Sequence, residues 1–218
     1  MDFNAVLETV ALYAIPMIFA ITLHEAAHGY VARYFGDYTA YQAGRISLNP
    51  LDHIDPIGTI VVPGVMIVLS AGQLVFGWAK PVPVNFGNLR SPKRDMLWVA
   101  AAGPGANLLM ALCWAILLKI AITVPPNYFS YPLSKMAKGG VFINLGLMAL
   151  NLIPIPPLDG GRIAVSLLPH RLAYRFAMIE PYGLFIMIAL LFTHVLDLVV
   201  WPIVLLCSKL ISALLGLS

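Results

Sequence analysis

Six apolar stretches, separated by short polar ones, organise this chain. They run over Thr9–Phe35, Ile57–Ala79, Met96–Leu118, Gly139–Leu158, Pro181–Leu196 and Leu198–Leu217. Met96–Leu118 is an unbroken apolar run of 23 residues, and about 20 suffice to cross the hydrocarbon core of a bilayer. Ile57–Ala79 is uncharged but interrupted by Pro63-Gly64 and Ala71-Gly72, so it reads either as a span or as a re-entrant hairpin. The spacers differ in kind. Gly36–Pro56 is rich in turn residues, Trp78–Asp95 is basic and proline-spaced, and Thr123–Lys138 is a loop around Pro125-Pro126. Arg162–Arg175 reads as a basic connector with a short helix and a turn at Pro169. Within Trp78–Asp95, the alternation Lys80-Pro81-Val82-Pro83-Val84-Asn85 predicts an extended, edge-like strand. No internal repeat is visible.

Composition agrees with the pattern. Of 218 residues, 60% are hydrophobic and 11% charged, against about 25% charged in a soluble domain. The expectation is one membrane-embedded domain over residues 1–218, with a core at 9–161 and a C-terminal helical pair at about 181–217. Its fold class is all-α and polytopic, with about five transmembrane helices, a re-entrant hairpin and a short β element on the cytoplasmic side. The net charge of +3 comes without any basic run, which argues against a nucleic-acid partner. Cys113 and Cys207 lie in separate apolar stretches without CxxC spacing and read as free packing residues. Asp2 and Glu8 stand where a cleaved leader would be basic, so no such leader is expected.

Chemistry enters with His24-Glu25-Ala26-Ala27-His28. On a helix, HExxH places two imidazoles one turn apart on one face with a carboxylate beside them, the arrangement of a zinc hydrolase. Ionisable groups at membrane depth are costly and mark functional sites. The bland alternative is a charged helical face. A catalytic zinc usually has three protein ligands, and Val31 and Tyr34 stand where a metzincin would carry glycine and histidine. The best third candidate is Asp159, the sole carboxylate between Asp95 and Glu180, after a helix end broken by Pro154, Pro156 and Pro157. The competing reading is that Asp159 caps a helix starting at Gly160. His53 reads as a loop residue near the site and is left out of the ligand set.

Depth and charge settle the ambiguous stretch. His24 follows 15 apolar residues, roughly 22 Å into a core of about 30 Å. Asp159 lies toward the far end of its own segment. The two meet only if both segments run the same way, so Ile57–Ala79 should re-enter rather than cross. Re-entry puts nine Lys/Arg (Arg33, Arg45, Lys80, Arg90, Lys93, Arg94, Arg162, Arg171, Arg175) on one side against three (Lys119, Lys135, Lys138). Full crossing would give a near-even seven to five. The positive-inside rule favours the lopsided count, with the N-terminus outside and the site toward the cytoplasm of a plasma membrane.

HEAAH at 24–28, Gly103-Pro104-Gly105-Ala106-Asn107 and the stretch Asn151…Pro154…Asp159-Gly160 together resemble the site-2 protease family of intramembrane zinc metalloproteases. The resemblance covers Thr9 to about Gly161. It implies one Zn2+ per chain held by His24, His28 and Asp159, with Glu25 as general base. It also implies membrane-spanning protein substrates cut near the cytoplasmic side. Asn151 resembles the family asparagine at that place and is the first choice for oxyanion donor; Asn107 is the second, and its rival role is structural. Gly103-Pro104-Gly105 also reads as a close helix contact. Many family members carry a PDZ domain between the helices that here begin near Met96 and Gly139, where this chain has only a short loop. The rival functions are a membrane metal or ion transporter, weakened by the absence of a repeat, and a zinc-binding homologue without proteolysis.

Overall fold

Long helices form where the chain is apolar and uncharged, since a backbone in lipid must satisfy its own N–H and C=O groups. The computed structural model describes residues 3–69 and 77–217. In chain order these form α1 (Phe3–Tyr34), a single turn α2 (Thr39–Gln42), α3 (Val62–Leu69), α4 (Pro92–Thr123) and α5 (Ser130–Asn151). The shorter α6 (Asp159–Leu167), α7 (His170–Ala177) and α8 (Gly183–Phe192) follow, and α9 (Val195–Leu215) closes the fold. Pro92–Thr123, His170–Phe192 and Val195–Leu215 are long and apolar enough to cross a membrane.

The centre is built from α1, α4 and α5, and small residues let them approach closely. Ala20, Ala26, Ala32, Ala111, Ala115, Ala137 and Ala149 are almost wholly buried. Around them, Trp114, Val141, Leu145 and Met148 pack with Val204 and Ile211 of α9. The outward faces stay apolar: Leu109, Leu198, Leu206, Leu210 and Leu214 are all exposed. In water such a surface would be a liability; in lipid it is the solvated face. The α4–α5 connection spans only 124–129, which leaves no room for an inserted domain there.

Two expectations are changed or left partial by the structure. No strand forms among the described residues, so the β element is not there. Residues 77–85 are neither helix nor strand, and Pro81 and Pro83 lack the N–H a ladder needs. The remaining N–H groups go elsewhere: Lys80 to His53 O (2.9 Å), Val82 to the Glu25 carboxylate (2.8 Å) and Asn85 to Asp37 Oδ2 (2.8 Å). The turn of the expected re-entrant hairpin falls on 70–76, outside the described residues. On either side of it, Trp78 N–H donates to Gly58 O and Thr59 Oγ1–H donates to Trp78 O, both at 3.0 Å. Residues 58–59 and Trp78 thus lie side by side, and α3, at eight residues, is about 12 Å long.

Residues 77–91 form a strap over the end of α1. Arg90 N–H donates to Phe35 O (3.0 Å), while Leu89, Val84 and Phe86 pack on Ala32 and Val99. Asp37 is the knot. Its Oδ1 accepts from Thr39 N–H (3.0 Å) and Asn88 Nδ2 (3.2 Å), alongside Asn85 N–H on Oδ2. Burial alone would raise this carboxyl's pKa; the donors from Thr39, Asn85 and Asn88 outweigh burial and hold it below the ordinary carboxylate range. A depressed pKa contributes stability that is present above the unfolded value, about 3.9, and lost as pH falls through the folded value. Wild type is therefore expected to melt above Asp37→Asn at pH 7, with the gap closing as pH drops below about 4. A gap that stays constant over that range would remove Asp37 from the strap's stability.

Candidate metal centre

The HExxH residues sit in the last third of α1, facing α4. His24 is buried, with Glu25 and His28 half-buried. The 24/28 spacing stacks the rings edge to face with centroids 4.8 Å apart. Each ring is held through Nδ1: that of His24 lies 2.6 Å from Asn107 Oδ1, and that of His28 lies 2.7 Å from Val99 O. A carbonyl oxygen only accepts, so each Nδ1 carries the proton and each Nε2 is left as a lone pair.

Those lone pairs converge. Nε2 of His24 and Nε2 of His28 are 3.1 Å apart, and Asp159 Oδ2 lies 3.2 and 3.4 Å from them. Asp159 comes from α6, which starts where the proline-broken connection after α5 ends. Its carboxylate does not cap that helix: Leu158 occupies the N-cap position and no side chain caps it. Asp159 Oδ2 is buried without a hydrogen-bond donor. Three lone-pair donors facing one another at this spacing repel unless a cation sits among them. With bonds of 2.0–2.1 Å, tetrahedral zinc holds its ligand atoms about 3.3 Å apart, so the donor set fits zinc in type and spacing. No other group of three or more such side chains is found among the described residues.

The other predicted residues divide. Glu25 adjoins the trio, and its Oε2 accepts the Val82 N–H at 2.8 Å. Asn151 ends α5, where its amide donates to Leu147 O (3.0 Å) and has no hydrogen bond to the trio. Asn107 is fully buried and its amide donates to Ala20 O (3.2 Å) and Asn144 Oδ1 (3.1 Å). Both amide hydrogens of Asn107 are thus engaged away from the trio. His53 is buried, bonded through Nε2 to Ser47 O (2.9 Å), and outside the trio.

Two contacts at the site could not be specified from the sequence. The Val82 contact is made by a backbone group, which has no residue-type signature. Gly103 is the other. A Cβ there would lie 2.6 Å from His24 Nε2, and closer still to His24 Cε1 and His28 Nε2. Its missing side chain is the space into which the imidazoles converge.

Two imidazoles, a carboxylate and an adjacent glutamate inside an all-helical, multi-pass framework define a membrane protein with the donor set of a metallohydrolase. The comparisons agree. A profile of peptidase family M50 matches residues 120–194. The chain is 38% identical over 191 residues to a Bacillus subtilis protein provisionally named zinc metalloprotease YwhC, covering 86% of this chain and 83% of that one. It is 29% identical over 186 residues to the Mycolicibacterium smegmatis protein provisionally named zinc metalloprotease Rip2, covering 83% of this chain and 66% of that one. The Mycobacterium tuberculosis Rip2 is 30% identical over 155 residues, 69% of this chain and 54% of its own. No solved structure gives a significant match. The chain belongs to peptidase family M50, the site-2 protease family of zinc metalloproteases.

Proposed function

We propose that this chain is an intramembrane metalloprotease that binds one zinc through His24, His28 and Asp159 and hydrolyses peptide bonds of membrane-spanning protein substrates. The observation that carries the reading is the convergence of Nε2 of His24, Nε2 of His28 and Oδ2 of Asp159 at 3.1–3.4 Å. When bound, zinc polarises the scissile carbonyl and lowers the pKa of water to about 7. Glu25 is the general base. Its Oε2 is held by the Val82 N–H, so Oε1 is the oxygen that takes a proton from water and returns it to the leaving amine. Asn151 is the oxyanion donor, through the amide hydrogen not engaged by Leu147.

The strap presents the substrate. A helical substrate hides its peptide bonds and must be held unwound, and a strap running beside Glu25 can do this by strand addition. Val82→Pro deletes the N–H that orients Glu25, so cleavage should fall while zinc stoichiometry stays the same. Unchanged cleavage would count against the strap's role.

The return of Trp78 to Gly58 supports a re-entrant path for 57–79. Together with the nine-to-three division of basic residues, it supports about five spans in a plasma membrane, the N-terminus outside and the site toward the cytoplasm. A membrane-impermeant thiol reagent should label a cysteine added at position 4 from outside only.

The test is zinc content and cleavage in nanodiscs. Wild type should carry one zinc per chain and cut a membrane-helix reporter; chelation should stop cleavage and zinc should restore it. Asp159→Ala should lose the metal. Asn151→Ala should keep it and lose about 10²–10³-fold in kcat. Wild type without zinc, or cleavage indifferent to chelation, would sink the reading.

A further inference from the structure

Two asparagines on different helices lie end to end behind His24. Asn107 of α4 and Asn144 of α5 are both fully buried, so no solvent water can stand in for either. The oxygen and nitrogen of an amide are assigned by their neighbours, and here backbone carbonyls settle the assignment. Gly140 O can only accept, so the group 2.8 Å from it is Asn144 Nδ2 and the opposite end of that amide is Oδ1. Asn144 Oδ1 faces Asn107 at 3.1 Å, and Ala20 O, another obligate acceptor, faces the same Asn107 nitrogen at 3.2 Å. Asn107 must therefore turn its oxygen to His24, 2.6 Å from Nδ1. The polarity of the whole chain of bonds, from Gly140 O to His24, is fixed.

We propose that Asn144 is a positioning residue for the metal centre, acting through Asn107 to hold His24 with its proton on Nδ1. The inference rests on the zinc reading above and goes beyond it. Were the Asn107 amide reversed, its NH2 would face Nδ1, and the ring proton would have to move to Nε2, among the metal donors. What resists reversal is the pair of acceptors on Nδ2. Without Asn144 only Ala20 O remains, at the longer of the two distances. Partners of this kind are worth about 10–100-fold in metal affinity where they have been removed.

The experiment measures the zinc dissociation constant by chelator competition, with the melting temperature of the zinc-free protein as a control for folding. Asn107→Leu should weaken zinc by about 10–100-fold and Asn144→Leu by about tenfold. Asn144→Asp, neutral when buried in an apolar bundle, offers an O–H to Gly140 O and an acceptor to Asn107, and should restore affinity to within about threefold of wild type. Asn144→Ala replaces the leucine variant if the latter does not fold. Wild-type affinity in Asn144→Leu would overturn the proposal. So would equal weakening in the leucine and aspartate variants that tracks their melting temperatures, since that is the behaviour of a mere helix pin. Absence of zinc from wild type would instead overturn the zinc reading itself, before Asn144 is in question.

Discussion

Glu25→Gln is expected to keep its zinc and its melting temperature while losing about 10²–10⁴-fold in kcat. Glutamine has the shape of glutamate, and its carbonyl oxygen can still accept the Val82 N–H that now meets Oε2 at 2.8 Å. The donor trio does not include Glu25, so metal binding has no reason to change. What disappears is a basic oxygen: an amide does not take a proton from water near neutral pH. The measurement pairs zinc per chain with single-turnover cleavage of a membrane-helix reporter. Cleavage within a few-fold of wild type would take the general-base role away from Glu25, whatever its position.

Gly103→Ala should act on the metal itself. As a helical residue alanine is better than glycine by about 1 kcal/mol, so α4 has no intrinsic reason to suffer. The added methyl, however, lies 2.6 Å from His24 Nε2 and closer still to His28 Nε2. Overpacking of this kind costs about 1–3 kcal/mol, which at 1.36 kcal/mol per decade is about fivefold to 160-fold in zinc affinity. Cleavage at limiting free zinc should vanish with it. Gly105→Ala is the internal control, because a Cβ there meets nothing within 4 Å. Equal zinc affinity in both variants would show that α1 and α4 can part without harm to the site.

How far the sequence could be read follows from what kind of group carries each contact. His24, Glu25 and His28 are legible because helical spacing alone puts them on one face. Asp159 is legible as the sole carboxylate between Asp95 and Glu180, after a proline-broken helix end, and the structure brings its Oδ2 to 3.2 and 3.4 Å of the two imidazoles. Asn107 could be singled out by type, but its role could not. Whether an amide gives or receives is decided by Ala20 and Asn144, on other helices. Gly103 could be read as part of a close helix contact, but what it meets, the imidazoles of α1 more than seventy residues away in sequence, could not. The inference from the alternation at 80–85 to a β element fails because a strand is defined by its partner. Here the partners are the side chains of Glu25 and Asp37 and the carbonyl of His53.

The close contacts among α1, α4 and α5 divide the molecule into a part that can drift and a part that cannot. At Gly103, Gly139 and Gly140, even one added carbon would strike His24, Tyr13 or Trp114. Selection for a new substrate therefore has little purchase on these helices without disturbing the donors they hold. The strap is different. It is joined to the frame largely by main-chain N–H and C=O groups, which every residue except proline possesses. Exposed side chains such as Lys80 can change while those bonds persist. Laboratory evolution toward altered cleavage preference should accumulate its substitutions at 77–91 and leave the three helices nearly untouched.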